Sequence, residues 1–373
     1  MGPHKATVIP ALEAHGHRHF LIAVICTAFW LLAAPFVSAQ SEFDITLDDQ
    51  PLLVEPDVMT LGVLTTEGVT RAIEAWRPIV DLLNREADIV EMPLRFVLKP
   101  HSLPSLRAAV EAGELDFVLS DPAFFVAAEV EHGARAVLSR ARIWDDRTYG
   151  EIGALIFTNR DSEYQSIADL RGRRLMAVGQ DDFSGWWLAE QEFHRPRLDP
   201  DRTLSELIFA DGNEREVVYA VQTGLVDAGV VRAGVLEGLD AAGVIDLRDF
   251  RPLEPILQQG YPFMTSTELY PEWLLSAMPT VDEASLAHVI NVLLNVEPDS
   301  LESIAAGGAV WQAPHNYQNV HDLLISLRVR PYENYLMQAA GRIYQNYRCN
   351  YSGTQLSVDL RNVQMLLFNG AEF

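Results

Sequence analysis

The sequence predicts an α/β protein built from two similar halves, and two observations carry that expectation. The first is alternation. Short apolar runs of strand length are separated by stretches with helical periodicity, the pattern of a parallel or mixed sheet with helices packed against it. The second is a repeat. Ala109-Val110-x-x-Gly113-x-x-Asp116 returns 111 positions later as Ala220-Val221-x-x-Gly224-x-x-Asp227, and an apolar run follows each copy. Each copy reads as a helix stopped by a glycine, then a short buried strand entered through an aspartate. The far end of that strand delivers one polar side chain, Ser120 in the first copy and Arg232 in the second. Two such units predict two α/β lobes whose strand ends face each other across a cleft.

The elements follow in order. Residues 41–56 are acidic and proline-flanked, a leader. Val58 to Leu64 has the continuous apolar character of a buried strand, and Thr65-Thr66-Glu67-Gly68 separates it from a helix whose apolar face carries Ile73, Trp76, Ile79, Val80 and Leu83. Leu94 to Leu98 is a second strand ending at Lys99-Pro100-His101-Ser102. The first repeat unit supplies a helix over 103–112 and a strand over 116–119, and Asp121-Pro122 opens a helix over 122–132. Glu151 to Thr158 and Leu175 to Val178 are strands. Between Val178 and a helix ending near Phe193 lies Gly179-Gln180-Asp181-Asp182-Phe183-Ser184-Gly185-Trp186. A polar, glycine-containing turn at a helix start is an anion-binding arrangement when its N–H groups are free, and an ordinary Asp or Ser cap when they are not. The second repeat unit closes this half, Leu253 to Phe263 carries the chain back, and helices are expected to dominate from Glu272 to about Leu327.

Composition bounds the function. Residues 1–39 have the layout of a secretory signal: Lys5 and Arg18, an apolar stretch from Phe20 to Phe36, then the small-x-small site Val37-Ser38-Ala39. An uncleaved membrane anchor is the alternative. Removing that segment, which also holds Glu13, takes the formal net charge of the 373-residue chain from −24 to −25. So acidic a surface argues against nucleic acid and anionic membrane surfaces as partners. Only Cys349 then remains of the two cysteines, so no intramolecular disulfide is expected and stability must come from the apolar core. No cofactor-binding glycine pattern is present. His315 and His321 lack the usual metal spacing, and no residues assemble a nucleophile, a base and an acid. A metal, a cofactor and an enzymatic activity are therefore not expected.

A resemblance narrows the reading. At Ser166-x-Ala168-Asp169-Leu170-x-Gly172-x-x-Leu175 and the Ser184-Gly185 turn, the chain resembles type II periplasmic solute-binding proteins of the phosphonate-binding branch. Gly150-x-Ile152-Gly153-Ala154-Leu155-Ile156-Phe157, Asp227-Ala228-Gly229-Val230-Val231-Arg232 with Leu236-Glu237, and Leu269-Tyr270-Pro271-Glu272-Trp273 are similar to the periplasmic sensor domains of tetrathionate-sensor-like histidine kinases. Trp311-x-x-Pro314-His315-Asn316-Tyr317 and Leu327-Arg328-Val329-x-Pro331-Tyr332-Glu333 fit the same group. The resemblance covers roughly 58–335 and leaves 336–373 unmatched. It implies a two-lobed fold with two hinge crossings: lobe 1 over 58–148, lobe 2 over 149–252, and a return to lobe 1 over 253–335. It also implies a small-molecule anion as ligand, and a histidine kinase or an ABC permease as membrane partner.

Ligands of open α/β sheets bind outside the carboxyl ends of the strands. That rule nominates Thr65, Thr66, His101 and Ser120 from the first half, and Asp182, Ser184, Gly185 and Arg232 from the second, with Tyr149 near the crossing. Hydroxyl and amide groups would donate to an oxyanion, and Arg232 would supply charge and a two-pronged donor. Asp121 and Asp182 also suit helix capping, and Arg232 also suits a hinge salt bridge. The expected function is a periplasmic binding or sensor protein that closes on a sulfur or phosphorus oxyanion. The alternatives are the binding component of a phosphonate-type transporter and, remotely, an enzyme on the same fold.

Overall fold

The computed structural model describes residues 55–195 and 197–335; the expected signal segment and the tail 336–373 lie outside the described residues. The chain opens with β1 (Asp57–Leu64), α1 (Val69–Ile89), β2 (Leu94–His101), α2 (Leu103–Glu111), β3 (Phe117–Ser120) and α3 (Pro122–His132). The long strand β4 (Arg135–Trp144) and its hairpin partner β5 (Arg147–Tyr149) follow. The middle holds β6 (Glu151–Ile152), β7 (Ala154–Asn159), β8 (Arg174–Ala177), α4 (Leu188–His194), α5 (Pro200–Thr203), β9 (Glu206–Phe209), α6 (Glu214–Gln222), β10 (Ala228–Arg232), α7 (Val235–Ala241) and β11 (Phe250–Pro252). The return supplies β12 (Tyr270–Pro271), β13 (Leu274–Ala277), α8 (Glu283–Leu294), α9 (Leu301–Ala305), β14 (Ala309–Gln312) and α10 (Gln318–Leu327).

Two sheets result. The first runs β14-β4-β13-β3-β1-β2 with β5 on the edge of β4; the second runs β11-β7-β10-β8-β9; β12 and β6 form a two-stranded ribbon. Each sheet contains three parallel strands in the same relative order, β2-β1-β3 and β9-β8-β10. Each trio is then flanked by an antiparallel neighbour, β13 beside β3 and β7 beside β10.

The repeated residues do the same work in both halves. Gly113 and Gly224 sit at φ +69° and +74° just beyond α2 and α6, where the left-handed region ends a helix. Asp116 donates its N–H to the Thr60 carbonyl (3.1 Å) and accepts the Thr60 N–H on Oδ2 (2.7 Å). Asp227 repeats the pair on Arg174, at 3.0 Å and 2.9 Å. Each aspartate thus locks the entrance of its strand to the neighbouring parallel strand. The repeat is a structural device, and it sets the register that delivers Ser120 and Arg232 to the sheet ends.

One expectation needs correction and another an addition. The apolar run 151–158 is not one strand: it breaks at Gly153 into β6 and β7, which pair with different partners. Helices do dominate from Glu272 to Leu327, but β13 and β14, which the sequence reading did not include, enter the first sheet antiparallel, on either side of β4. Both are four-residue strands, and β13 is buried along its whole length. A continuous apolar run that short carries neither alternation nor helical period.

α1 and α6 each bury one face, whereas α3 is buried on all sides from Pro122 to Ala128. Ala72, Trp76, Ile79, Val80 and Leu83 of α1 pack on the first sheet, while Val217, Val218, Ala220 and Val221 of α6 pack on the second. Apolar contact also joins the halves away from the sheet ends. Phe183 of the middle segment meets Tyr270 of the return at 5.9 Å between ring centroids, and both rings belong to one buried cluster with residues from both sheets.

Candidate functional site

Strand order reverses at β1/β3 in the first sheet and at β8/β10 in the second, so the loops leaving these strands splay apart and open a crevice. A cavity of about 670 Å³ lies there, lined from both halves. The first contributes Thr65 and Thr66 after β1, Asp121 after β3, and Arg140 from β4. The second contributes Gly179, Asp182 and Ser184 after β8, Asp211 and Gly212 after β9, Glu214 at the start of α6, and Arg232 at the end of β10.

Of the nominated residues, Thr65, Thr66, Asp182, Ser184 and Arg232 line this cavity and His101, Ser120, Tyr149 and Gly185 do not. The reasons are local. His101 ends β2, an edge strand one position beyond the reversal; its Nδ1 contacts Ser105 Oγ at 2.8 Å and burial keeps its pKa low, hence neutral. Ser120 is fully buried beneath the cleft and donates to the Asp121 carbonyl at 3.1 Å. Tyr149 packs edge-on against Tyr261 and Phe263 at 6.0 and 6.1 Å, in an aromatic cluster beside the crossings. Gly185 is buried under Asp182, and a Cβ there would overlap the Val178 side chain. Thr65 lines the cleft, but its hydroxyl proton goes to the His101 carbonyl at 3.0 Å.

Two of the helix starts facing the cleft are capped by the chain's own carboxylates, whereas α1 starts after Gly68 with no side-chain cap and α6 is capped by the Asn213 amide oxygen. Asp182 Oδ1 accepts the Gly185 N–H at 2.6 Å, and Asp121 Oδ1 accepts the Phe124 N–H at 2.9 Å. The polar turn, which the sequence left open between an anion cradle and an aspartate cap, is an aspartate cap: its Gly185 amide points at Asp182. Negative charge at these N-termini is favourable for the helices, and it leaves the cation of the site to the arginines.

Arg232 does not stand alone. Its Nη1 donates to Glu272 Oε1 at 2.7 Å, and Arg140 Nη1 lies 3.8 Å from Glu272 Oε2, which also accepts the Trp273 N–H at 2.8 Å. Glu272 is 2% exposed. Burial alone would raise its carboxyl pKa; the guanidiniums of Arg232, Arg140 and Arg142 outweigh it and hold the pKa below the usual range. Arg142 sits behind the pair, stacked on Phe263 at 4.7 Å and Trp144 at 5.3 Å. Two guanidiniums thus share one buried carboxylate at the base of the cleft, with the charge of Arg142 near enough to add to their effect on it. Sequence reading passed over Arg140 and Glu272. The available signal was a pair of arginines, Arg140 and Arg142, alternating inside an otherwise apolar strand.

The walls are acidic. Glu67, Glu74, Asp181 and Asp211 line the cavity at exposed positions. Deeper carboxyls are shifted by burial: Asp121 is pushed up to about 6, Glu214 up to about 7, and Asp182 is raised as well. Near neutrality these three hold protons more readily than free carboxyls do, which softens the field an anion meets.

A family model described as "ABC transporter, phosphonate, periplasmic substrate-binding protein" matches residues 61–319. The tetrathionate sensor histidine kinase TtrS of Salmonella typhimurium is 29% identical over 278 residues, covering 74% of this chain and 45% of that protein. The chain spans less than half the length of this relative. Among solved structures, PhnD1 of Prochlorococcus marinus in complex with methylphosphonate superposes with a TM-score of 0.58 at 14% identity, over 73% of this chain and 99% of that one. A binding component of a phosphonate transporter from Pseudomonas aeruginosa gives 0.55 at 12% identity, over 85% and 96%. At these identities the likeness establishes the fold, that of type II periplasmic binding proteins. Among the described residues no helix is long and apolar enough to cross a membrane.

Proposed function

The chain belongs to the family of periplasmic substrate-binding proteins of phosphonate ABC transporters, a family of binding proteins and not of enzymes. From that premise we propose that it captures a small sulfur or phosphorus oxyanion between two lobes and passes the closure to a membrane partner. The lobes are 58–148 with the return 253–335, and 149–252, and they close about crossings near 145–150 and 250–262. The observation that carries this reading is convergence. Loops from the reversal points of both sheets meet in one cavity, and Arg232 lies at its base with the hydroxyls of Thr66 and Ser184 in the lining. A solute touching both halves at once favours the closed arrangement by the difference in its contacts between the two states.

A histidine kinase is the partner this reading favours, because a relative matched over 278 residues is a sensor histidine kinase. The family description supports a permease as the second choice. Removal of residues 1–39 as an export signal belongs to the same reading.

The test is a thermal-shift screen against tetrathionate, sulfate, methylphosphonate and phosphite. An anion at a hundred times its Kd stabilises by about 2.7 kcal/mol, which moves the midpoint by several degrees. Arg232→Ala is expected to abolish the shift while the protein still melts cooperatively, since Arg140 remains beside Glu272. An unchanged shift in that variant removes Arg232 from the site. Silence across the panel in the parent protein overturns the oxyanion reading.

A further inference from the structure

We infer that Arg140 is a second anion contact, that it and Arg232 form a clamp reaching from one sheet to the other, and that Glu272 is the positioning carboxylate that sets their spacing. The inference rests on the oxyanion reading above and adds residues to it.

The two guanidiniums come from different sheets, Arg140 from β4 of the first and Arg232 from β10 of the second, and both line the cavity. They meet on opposite oxygens of one carboxylate, Arg232 on Oε1 and Arg140 toward Oε2. Glu272 is fixed in turn by the Trp273 amide, so neither oxygen is free to swing toward one arginine and release the other. One negative charge shared by two cations leaves the three groups net positive; Glu214 and Asp182 face Arg232 and Glu237 faces Arg142, but burial raises the pKa of each of these carboxyls, which weakens the charge they set against the arginines. The group that can balance such a pair is an anion.

Hydrogen bonding points the same way. A guanidinium carries a fan of donors and no acceptor. Arg140 places Nη2 on the Ala306 carbonyl at 3.1 Å; its approach to Glu272 at 3.8 Å is an ion pair without a hydrogen bond, and its Nε has no partner. Arg232 makes a side-chain hydrogen bond to Glu272 alone among the described residues. A buried donor left unpaired costs free energy, as Arg140 Nε does, and a planar or tetrahedral oxyanion could accept from it and from the partly exposed Arg232 fork together. Burial weakens the hold of Arg140 on its proton, as does neighbouring Arg232, while Glu272 opposes both. An anion seated between the two arginines would relieve both effects. Because they belong to separate sheets, it would also draw the halves together.

The test compares the full chain with Arg140→Gln, Arg140→Lys and the double variant Arg140→Gln/Glu272→Gln, by calorimetric titration with whichever of tetrathionate, sulfate or methylphosphonate the parent binds. Arg140→Gln is expected to weaken binding at least tenfold, and Arg140→Lys, which keeps the charge but loses the planar fork, to recover part of that loss. If the single Gln variant does not fold, the double variant removes the buried charges together and must show the same loss. Binding equal to the parent in either Gln variant overturns the clamp, and so does failure of the Lys variant to recover any of the loss. If Arg232→Ala abolishes binding while Arg140→Gln keeps it, the oxyanion reading stands and the clamp falls. If the parent binds none of these three anions and no phosphite either, both fall.

Discussion

Arg232 was legible in the sequence because the repeat places it at the end of a buried strand, and that placement needs only local pattern. Its partner was not. Glu272 lies on the return of the chain and meets Arg232 through the fold alone, as does Arg140. The polar turn at Asp182 shows a related limit: the composition of an aspartate cap and of an anion cradle is the same, and only the direction of the Gly185 amide separates them. The acidic residues of the cleft carry a consequence for pH. Burial raises Asp121 to about 6 and Glu214 to about 7, and raises Asp182, whose neighbours are Arg232, Asp121, Glu214 and the Ser184 hydroxyl. Glu214 also faces Glu67, and Asp121 faces Arg107. An incoming anion favours the protonated, neutral form of each, so capture takes up protons. Affinity for tetrathionate, whose own charge does not change in this range, is therefore expected to rise as pH falls from 8 to 6. Glu214→Gln should flatten that slope. Titration at several pH values, in buffers of different ionisation heat, measures the uptake; affinity that falls toward pH 6 contradicts it.

Among the elements, the first parallel trio together with β8 and β10 was readable from sequence, and β7 was read within the run 151–158, whereas β9 and the antiparallel strands β4, β13 and β14 were not. β1, β2 and β3 alternate with amphipathic helices, and their apolar runs are bounded by turn residues. β13 and β14 are short runs whose strand character comes from filling places beside β4. Loops between elements set how closely the halves approach. Gly212, after β9, has φ +90°, and a Cβ there would overlap the Thr66 carbonyl of the β1–α1 loop across the cleft. That contact needs both the conformational freedom and the small size of glycine. Gly212→Ala is expected to hold the halves apart and weaken anion binding by roughly tenfold, about 1.4 kcal/mol, with a modest drop in thermal midpoint from the left-handed backbone. Solution scattering should show a larger radius of gyration for the variant. Parent-like affinity would mean that the Thr66–Gly212 approach plays no part in closure.

At the scale of the whole molecule, a formal charge of −24 sets the field in which every group titrates. Six carboxyls, Asp121, Asp182, Glu190, Glu192, Glu214 and Glu237, have pKa values raised first of all by burial, with Glu190 and Glu192 each at about 7. Each binds its proton more tightly folded than unfolded. For Asp121, Glu190, Glu192 and Glu214, between the unfolded value near 4 and the folded value of about 6 to 7, the native state therefore holds more protons, and stability falls as pH rises through that window; Asp182 and Glu237 act in the same direction. Four others run the opposite way. Glu272 is lowered by its arginines against burial, and Asp169, Asp246 and Asp282 by local hydrogen bonds, so their contribution is lost only as pH drops below the ordinary carboxylate range. The two sets place maximum stability near pH 5, on the acid side of neutrality, and self-repulsion of the acidic chain adds to the decline above it. The thermal midpoint is expected to be higher at pH 5.5 than at pH 8.0. Added salt should raise it at pH 8.0, where repulsion is greatest, more than at pH 5.5. Calorimetric scans at both pH values, at low and moderate salt, decide the matter. A midpoint that climbs from pH 5.5 to 8.0 would mean that the buried carboxyls of the cleft remain ionised and paired, and with that the proton-linked capture of anions would fail as well.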